Sequence, residues 1–310
     1  MNAVGATSVR VTELGLGTAQ LGDLYATLDQ YVANEIVDEA WRAGIRYFDT
    51  APFYGLGLAE QRLGLALADR QRSDYTLSSK VGRVINENSG TTRWCWDFSE
   101  TGVQRSIRES LDRLRNDHLD IVLIHDPQDN LDQAIAEAYP ALRSLRDRGA
   151  IGAIGVGTGD VAALTRFVRE CELDVIMLAG RYTLLDRSAS TALLPLCADR
   201  GVSILNVGVF NSGLLATDAP ADGARYEYQT ASRSLVRSAQ CIARVARAHG
   251  MTLPEAALRF AASDGQIASV VVGADGPEQI RANAALLDQQ VVRHSEWDEF
   301  VAHCDAFVAD

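Results

Sequence analysis

Residues 120–157 read DIVLIHDPQDNLDQAIAEAYPALRSLRDRGAIGAIGVG. An apolar, β-branched run, DIVLIH (120–125), stops at a histidine. AIAEAYPALRSLRDRG (134–149) then places apolar residues at three- and four-residue steps, and AIGAIGVG (150–157) returns to a short apolar run. Short β-branched runs are strands and the three- and four-residue period is a helix with one buried face, so the stretch is strand, helix, strand. The same alternation continues in both directions. Further strands are expected at ELGLGT (13–18), RYFDT (46–50), YTLSSK (75–80), DVIMLA (174–179), VSILNVG (202–208) and ASVVVG (268–273), with helical stretches such as ANEIVDEAWRAG (33–44) and VQRSIRESLDRL (103–114) between them. Gly44, Gly149, Gly201 and Gly250 follow helical runs, where a C-capping glycine belongs. Eight strand-then-helix units in 310 residues, with no composition break to mark a linker, predict an α/β fold, a (β/α)8 TIM barrel forming a single domain over 1–310. The inserts after strands 2, 3 and 7 read as the long ones, and long loops at one end of a barrel build its site.

A formal charge of −12 and 47% apolar residues suit a globular chain with a large core and argue against nucleic acid or an anionic membrane surface, both of which need a basic face. The expected partner is a small molecule; oligomeric state is not legible. Five widely spaced cysteines, Cys95, Cys171, Cys197, Cys241 and Cys304, form no C-x-x-C pair and read as reduced thiols of a cytoplasmic protein. No metal site is expected. The start, MNAVGATSVRVTELGLG, lacks a basic region followed by an apolar run, and no segment has the roughly 18 apolar residues of a membrane span. A dinucleotide-binding sheet is the obvious rival, because GLGTAQLG (15–22) is glycine-rich, but Gly15, Gly17 and Gly22 do not make G-x-G-x-x-G. GLGLAE (55–60) fails at its last position, and a Walker A loop is absent.

In a barrel, reactive groups sit at the carboxyl ends of strands. Strand 2 ends in Asp49, strand 3 in Lys80 and strand 4 in His125, while Tyr54 follows in the tight APFYGLG loop. Lys80 is the only lysine in the chain. A neighbouring ammonium favours a phenolate and should bring the tyrosine's proton-transfer range down from about pH 10, while Asp49 orients the ammonium and offsets part of that effect. His125 can hold a substrate oxygen. Singly, each residue has an ordinary structural role open to it: a cap, a packed ring, a surface charge. Their convergence on three adjacent strands points to chemistry. His118, His249, His294 and His303 show no ligand spacing and read as structural. Trp94 and Trp96, in TTRWCWDFS (91–99), lie in what reads as a loop after strand 3, either as a sugar-stacking wall or as loop packing.

RYFDTAPFYGLGLAEQRLGLAL (46–67) resembles the Asp and Tyr signature of the aldo-keto reductases, SSK (78–80) its Lys position and DHLDIVLIHDP (117–127) its His position. The resemblance covers nearly the whole chain and implies a catalytic tetrad of Asp49, Tyr54, Lys80 and His125. LAGRYTLLD (178–186), FNSGLLA (210–216) and YEYQTA (226–231) are similar to its sugar-oxidising members, the L-fucose and D-threo-aldose 1-dehydrogenases, with the plant-type L-galactose dehydrogenases as neighbours. This implies oxidation of the anomeric hydroxyl of an aldopyranose (L-fucose, D-arabinose, L-galactose or D-galactose type) to an aldonolactone, with hydride passing to a nicotinamide cofactor. Another cyclic hemiacetal or carbonyl, such as pyridoxal, is the alternative. Substrate contacts would come from Tyr54, Trp94, Trp96 and His125.

By position, the resemblance assigns Gly17, Thr18 and Asp49 to the nicotinamide end of the cofactor. It assigns Phe210, Asn211, Ser212, Gly213 and Leu215 to the pyrophosphate loop, and Gly273, Gln279 and Asn283 to adenosine. Gly273 and Gln279 stand where NADP-using members carry basic residues, and Asp275 lies nearby, so NAD is expected over NADP. Arg281 is the residue that would permit both. Strands 5 and 6 end in VGTGD and LAGR, without the family's usual amide-holding side chains; Thr158 and Arg181 are the substitutes at hand. Two other functions fit parts of the pattern: a Schiff-base aldolase using Lys80, and a cofactor-sensing subunit without turnover.

Overall fold

The computed structural model of the chain describes residues 1–88, 91–287 and 294–308. Eight parallel strands close a barrel: β1 (Leu14–Gly17), β2 (Tyr47–Asp49), β3 (Thr76–Val81), β4 (Leu119–His125), β5 (Ile151–Thr158), β6 (Val175–Ala179), β7 (Ser203–Val207) and β8 (Ile267–Val272). Each strand pairs with its sequence neighbours and β8 pairs with β1, the order that eight strand-helix units predict. The packed helices are α1 (Gln30–Arg42), α2 (Leu58–Ala66), α3 (Glu100–Leu114), α4 (Tyr139–Asp147), α5 (Val161–Glu170), α6 (Leu193–Arg200), α7 (Arg233–Ala248), α8 (Leu253–Ala261), α9 (Pro277–Leu287) and α10 (His294–Asp305). Asp29, Ser99, Asp160, Ser232 and Thr252 each accept a backbone N–H at the start of a helix, satisfying donors that the first turn leaves open. A π-turn, Ala134–Ala138, precedes α4, whose second residue is Pro140. The wider turn fits a ring that cannot donate an N–H.

Alternate strand residues point to opposite faces, so the core has two layers. Tyr47, Ile121, Leu123, Ala153, Val175, Met177, Leu205 and Val271 fill the barrel, while Phe48, Val122, Ile124, Ile154, Val156, Leu178 and Ile204 face the helices. An N-terminal hairpin, Asn2–Ala3 with Arg10–Val11, adds Val4, Val9 and Val11 to the inner layer. Its bonds run to Thr76 and Ser203, at the first residues of β3 and β7, so it plugs the amino end of the barrel. The opposite end is left for the site.

The loops there differ from the expectation in one respect. Only residues 50–57 separate β2 from α2, whereas 82–99 follow β3 and 208–232 follow β7. Both long inserts carry hairpins that the sequence reading took as loop: Arg83–Asn88 pairs with Thr91–Trp96, and Arg225–Tyr226 with Gln229–Thr230. Trp94 and Trp96 therefore stand on a strand. All five cysteines are free thiols, Cys171, Cys197 and Cys304 buried. Among the described residues no helix is long and apolar enough to cross a membrane.

Candidate active site

Register sets the first contacts. Gly17 pairs with Asp49, Asp49 with Ser78, and Lys80 with Leu123, while His125 lies opposite Gly157. Lys80, two residues beyond Ser78, emerges on the same face as Ser78 and within reach of Asp49. Its Nζ donates to Asp49 Oδ2 at 2.7 Å and to the Thr50 carbonyl at 2.9 Å, with both charged side chains almost wholly buried. Ser78 Oγ donates to Asp49 Oδ1 at 2.7 Å. Because that uses the serine's one proton, the Tyr47 phenol, 3.0 Å away, must donate to Ser78. Asp49 is held on both oxygens.

Tyr54 is placed by two loops that cross backbone on backbone. A Cβ at Gly22 would lie 2.6 Å from the Tyr54 carbonyl carbon, and one at Gly55, which has φ +61°, would lie 2.6 Å from the Gly22 oxygen. Only glycine at both positions lets the loop after β1 pass under the loop after β2. The expected role of GLGTAQLG as a rival phosphate loop gives way to this one: Gly22 makes room for Tyr54. The Tyr54 ring stands 4.8 Å from Lys80 Nζ and edge-on to His125, with centroids 5.9 Å apart. Asp49, Tyr54, Lys80 and His125 thus converge as expected.

The electrostatics correct one expectation. Burial raises the Tyr54 phenol above its ordinary value; the Lys80 ammonium pulls it down and Asp49 pushes it up, leaving it raised, not lowered. Desolvation outweighs the ammonium's field. Burial pushes the Lys80 ammonium's pKa down, but Asp49, with help from the Tyr54 phenol, more than offsets this and leaves it at about 12. His125 is driven well below its usual range by burial, then by Lys80 and Arg83, so its ring is neutral at working pH. The site is a charged ammonium, a protonated phenol and a neutral imidazole, an arrangement suited to passing one proton to or from an oxygen.

Several side chains that the sequence reading passed over line the same mouth. Arg83 Nη2 donates to Asp126 Oδ2 at 2.6 Å, and its guanidinium lies over the rings of Phe53, Trp96 and Trp94 at 4.3, 4.7 and 5.3 Å. Trp94 packs edge-on against both Phe53 and Trp96. Trp96 also stacks on the buried Phe98 and packs against the core, while Trp94 is exposed. Across the mouth, Tyr228 at the tip of the 225–230 hairpin donates its N–H to Ser212 Oγ at 3.2 Å. Arg181 binds Glu227 on that hairpin, Asp186 at 2.9 Å and the Gly159 carbonyl at 2.9 Å. It is a strut for the hairpin, and Thr158, donating to Gln128 at 3.0 Å, is likewise committed.

The residues assigned to a cofactor lie at the carboxyl ends of β1, β2, β7 and β8. Thr18 Oγ1 and Asn211 Oδ1 are buried polar atoms without a protein partner, a state that is unfavourable unless a ligand group meets them. Both can hydrogen-bond polar groups of the kind a nicotinamide nucleotide carries. Asn211, Ser212 and Gly213 all have positive φ, but the N–H groups of Asn211, Gly213, Leu214 and Leu215 donate to carbonyls within the loop. Leu215 is fully buried in the core and Phe210 packs against it. Gln279 Oε1 accepts the Asp275 N–H at 2.9 Å, Asn283 is half-buried on α9, and Gly273 lies against Gln20, whose side chain a Cβ there would strike. Arg281 donates to Glu39 at 2.9 Å and is engaged there. His249 and His303 bond each other at 3.2 Å beside Phe300, and His118 flanks Asp120, all away from the mouth; the side chain of His294 lies outside the described residues.

Residues 13–305 match the model of the aldo/keto reductase family. The chain is 42% identical to a D-threo-aldose 1-dehydrogenase of a Pseudomonas species, covering 91% of each, and 33% identical to a pyridoxal 4-dehydrogenase of Microbacterium luteolum, covering 93% of each. Its fold superposes on the holo form of an aldo-keto reductase from Bacillus halodurans with a TM-score of 0.82 at 27% identity, over 99% of this chain and 95% of that one.

Proposed function

The chain belongs to the aldo/keto reductase family of nicotinamide-dependent oxidoreductases, and from that premise we propose that it oxidises the anomeric hydroxyl of an aldopyranose to the aldonolactone, with NAD as acceptor. The observation that carries the chemistry is the Asp49–Lys80 pair sealed beneath Tyr54 and beside a neutral His125. The similarity to an aldose 1-dehydrogenase favours the sugar. A bound nicotinamide supplies the hydride acceptor. Tyr54, once ionised, takes the C1 hydroxyl proton and returns to the phenol; Lys80, kept charged by Asp49, stabilises the phenolate that accepts it; His125 holds the same oxygen. Thr18 and Asn211 offer their unpartnered oxygens to the cofactor, and Phe53, Trp94 and Trp96 give the apolar face of the sugar a wall. In this reading the whole of 1–310 works as one domain, in the cytoplasm.

NAD is favoured because Arg281 is bound to Glu39, while Gly273, Gln279 and Asp275 offer a 2′-phosphate no cation. A strong NADP preference in kcat/KM would refute this. The direct test is NADH formation over a panel of aldoses at mildly alkaline pH, with Tyr54→Phe alongside. Turnover on fucose-like sugars that vanishes in the variant is the expected result. Turnover on pyridoxal and none on any aldose would replace the sugar with the substrate of the second relative.

A further inference from the structure

The residue after His125 is Asp126, whose backbone is left-handed at φ 44°, a conformation that a side-chain-bearing residue adopts only at an energetic cost. The turn sets the carboxylate beside the imidazole: Asp126 Oδ2 lies 3.7 Å from His125 Nε2, too far for a hydrogen bond between them. Arg83 fixes the same oxygen at 2.6 Å and is itself fixed among Phe53, Trp94 and Trp96. The pair keeps some access to solvent, with side chains 16% and 26% exposed, and Arg83 Nε is buried without a protein partner. A carboxylate and a guanidinium set rigidly against an aromatic wall, one residue from the group that holds the reacting oxygen, have the makings of a sugar subsite: a face for C–H groups and an acceptor and donor for hydroxyls.

We propose that Asp126, held in place by Arg83, accepts a hydrogen bond from the hydroxyl on the carbon next to the one oxidised, so that the enzyme requires a 2-hydroxyl on its sugar. This rests on the aldose reading above. Asp126 Oδ2 lies only 3.7 Å from His125 Nε2, so a sugar whose C1 oxygen is held by the imidazole has its adjacent hydroxyl in reach of the carboxylate. A hydroxyl bonded to a carboxylate also discriminates strongly, since an analogue lacking it leaves a desolvated charge short of a partner.

The test is a cycle between enzyme and substrate. Wild type, Asp126→Asn and Asp126→Gly are assayed on D-arabinose and D-galactose and on their 2-deoxy forms; asparagine and glycine both tolerate the left-handed backbone at 126. Wild type is expected to prefer the parent sugar by roughly 10- to 100-fold in kcat/KM, and the variants to lose about that factor on the parent while changing little on the 2-deoxy sugar. Equal losses on both sugars, complete loss included, would overturn the proposal and make the pair a strut between the 83–96 hairpin and β4. So would a wild type indifferent to the 2-hydroxyl. Failure of the aldose reading shows elsewhere, as wild-type enzyme that turns over no aldose at all, and it takes this subsite with it.

Discussion

Lys80→Met removes the ammonium from a pair 2.7 Å apart with both partners almost fully buried. At an effective dielectric of about 20, two unit charges at that distance attract by about 6 kcal/mol, most of it offset in the native protein by the desolvation of the two groups. The substitution keeps the desolvated carboxylate and discards the attraction. Asp49 retains only the Ser78 hydroxyl on Oδ1, so the expected loss of stability is about 3–5 kcal/mol. Adding Asp49→Asn removes the stranded charge and leaves an amide that can still accept from Ser78; the double variant should therefore be more stable than the single by about 2 kcal/mol or more. Guanidinium unfolding followed by fluorescence reads both. Activity should fall by roughly 10²- to 10⁴-fold in both variants, since neither restores a cation to Tyr54. A double variant no more stable than the single would refute the account of Asp49 and Lys80 as mutually dependent buried charges.

Because burial, Lys80 and Arg83 hold His125 neutral, kcat/KM for oxidation should show no acid limb near pH 6.5 and should rise with pH as the raised Tyr54 phenol ionises; a limb centred near 6.5 would contradict this. Lys80, raised from 10.5 to about 12 in the fold, contributes stability that is fully present below pH 10.5 and is lost as pH approaches 12; melting temperatures of wild type and Lys80→Met should therefore converge across that window. Gly22→Ala would set a Cβ 2.6–2.7 Å from backbone atoms of Tyr54 and Gly55, which cannot swing aside, so kcat should drop by roughly 10- to 100-fold with the KM for NAD far less affected. Unchanged kcat would mean that the loop crossing does not position Tyr54.

The barrel was legible because most of its strands are short apolar runs bounded by turn residues, as parallel strands buried on both faces tend to be; β3, TLSSKV, is the exception, with buried Ser78, Ser79 and Lys80. Asp49, Lys80 and His125 were legible as polar residues at the ends of strands. The hairpins were harder. TTRWCW (91–96) does alternate, with Trp94 and Trp96 on one face, and that period of two was a strand signal available in the sequence. The 225–230 hairpin carried no such warning: its tip is Glu227–Tyr228, both left-handed, where an Asn-Gly pair would have announced the turn. Asp126 precedes a proline, a position biased toward extended backbone, so its left-handed turn toward His125 could not be anticipated. The direction of the Tyr54 shift depends on how far water is excluded, which no list of neighbouring charges contains.

The single lysine of the chain can be understood by counting hydrogen-bond donors. An ammonium has three N–H groups; Lys80 donates to Asp49 Oδ2 and to the Thr50 carbonyl, with the Tyr54 phenol as the third oxygen beside it. The residue is only 2% exposed there. A guanidinium would bring five donors in a rigid plane to the same three acceptors, leaving two buried and unmet, each at a cost of about 1–3 kcal/mol. It would also spread its charge over three nitrogens instead of focusing it under one phenol oxygen. The other 28 cationic side chains, all arginines, include many in surface and interfacial ion pairs, where a planar fork matches a carboxylate. The exception falls where the geometry needs a point charge, and the proton chemistry of Tyr54 depends on that ammonium lying beside it.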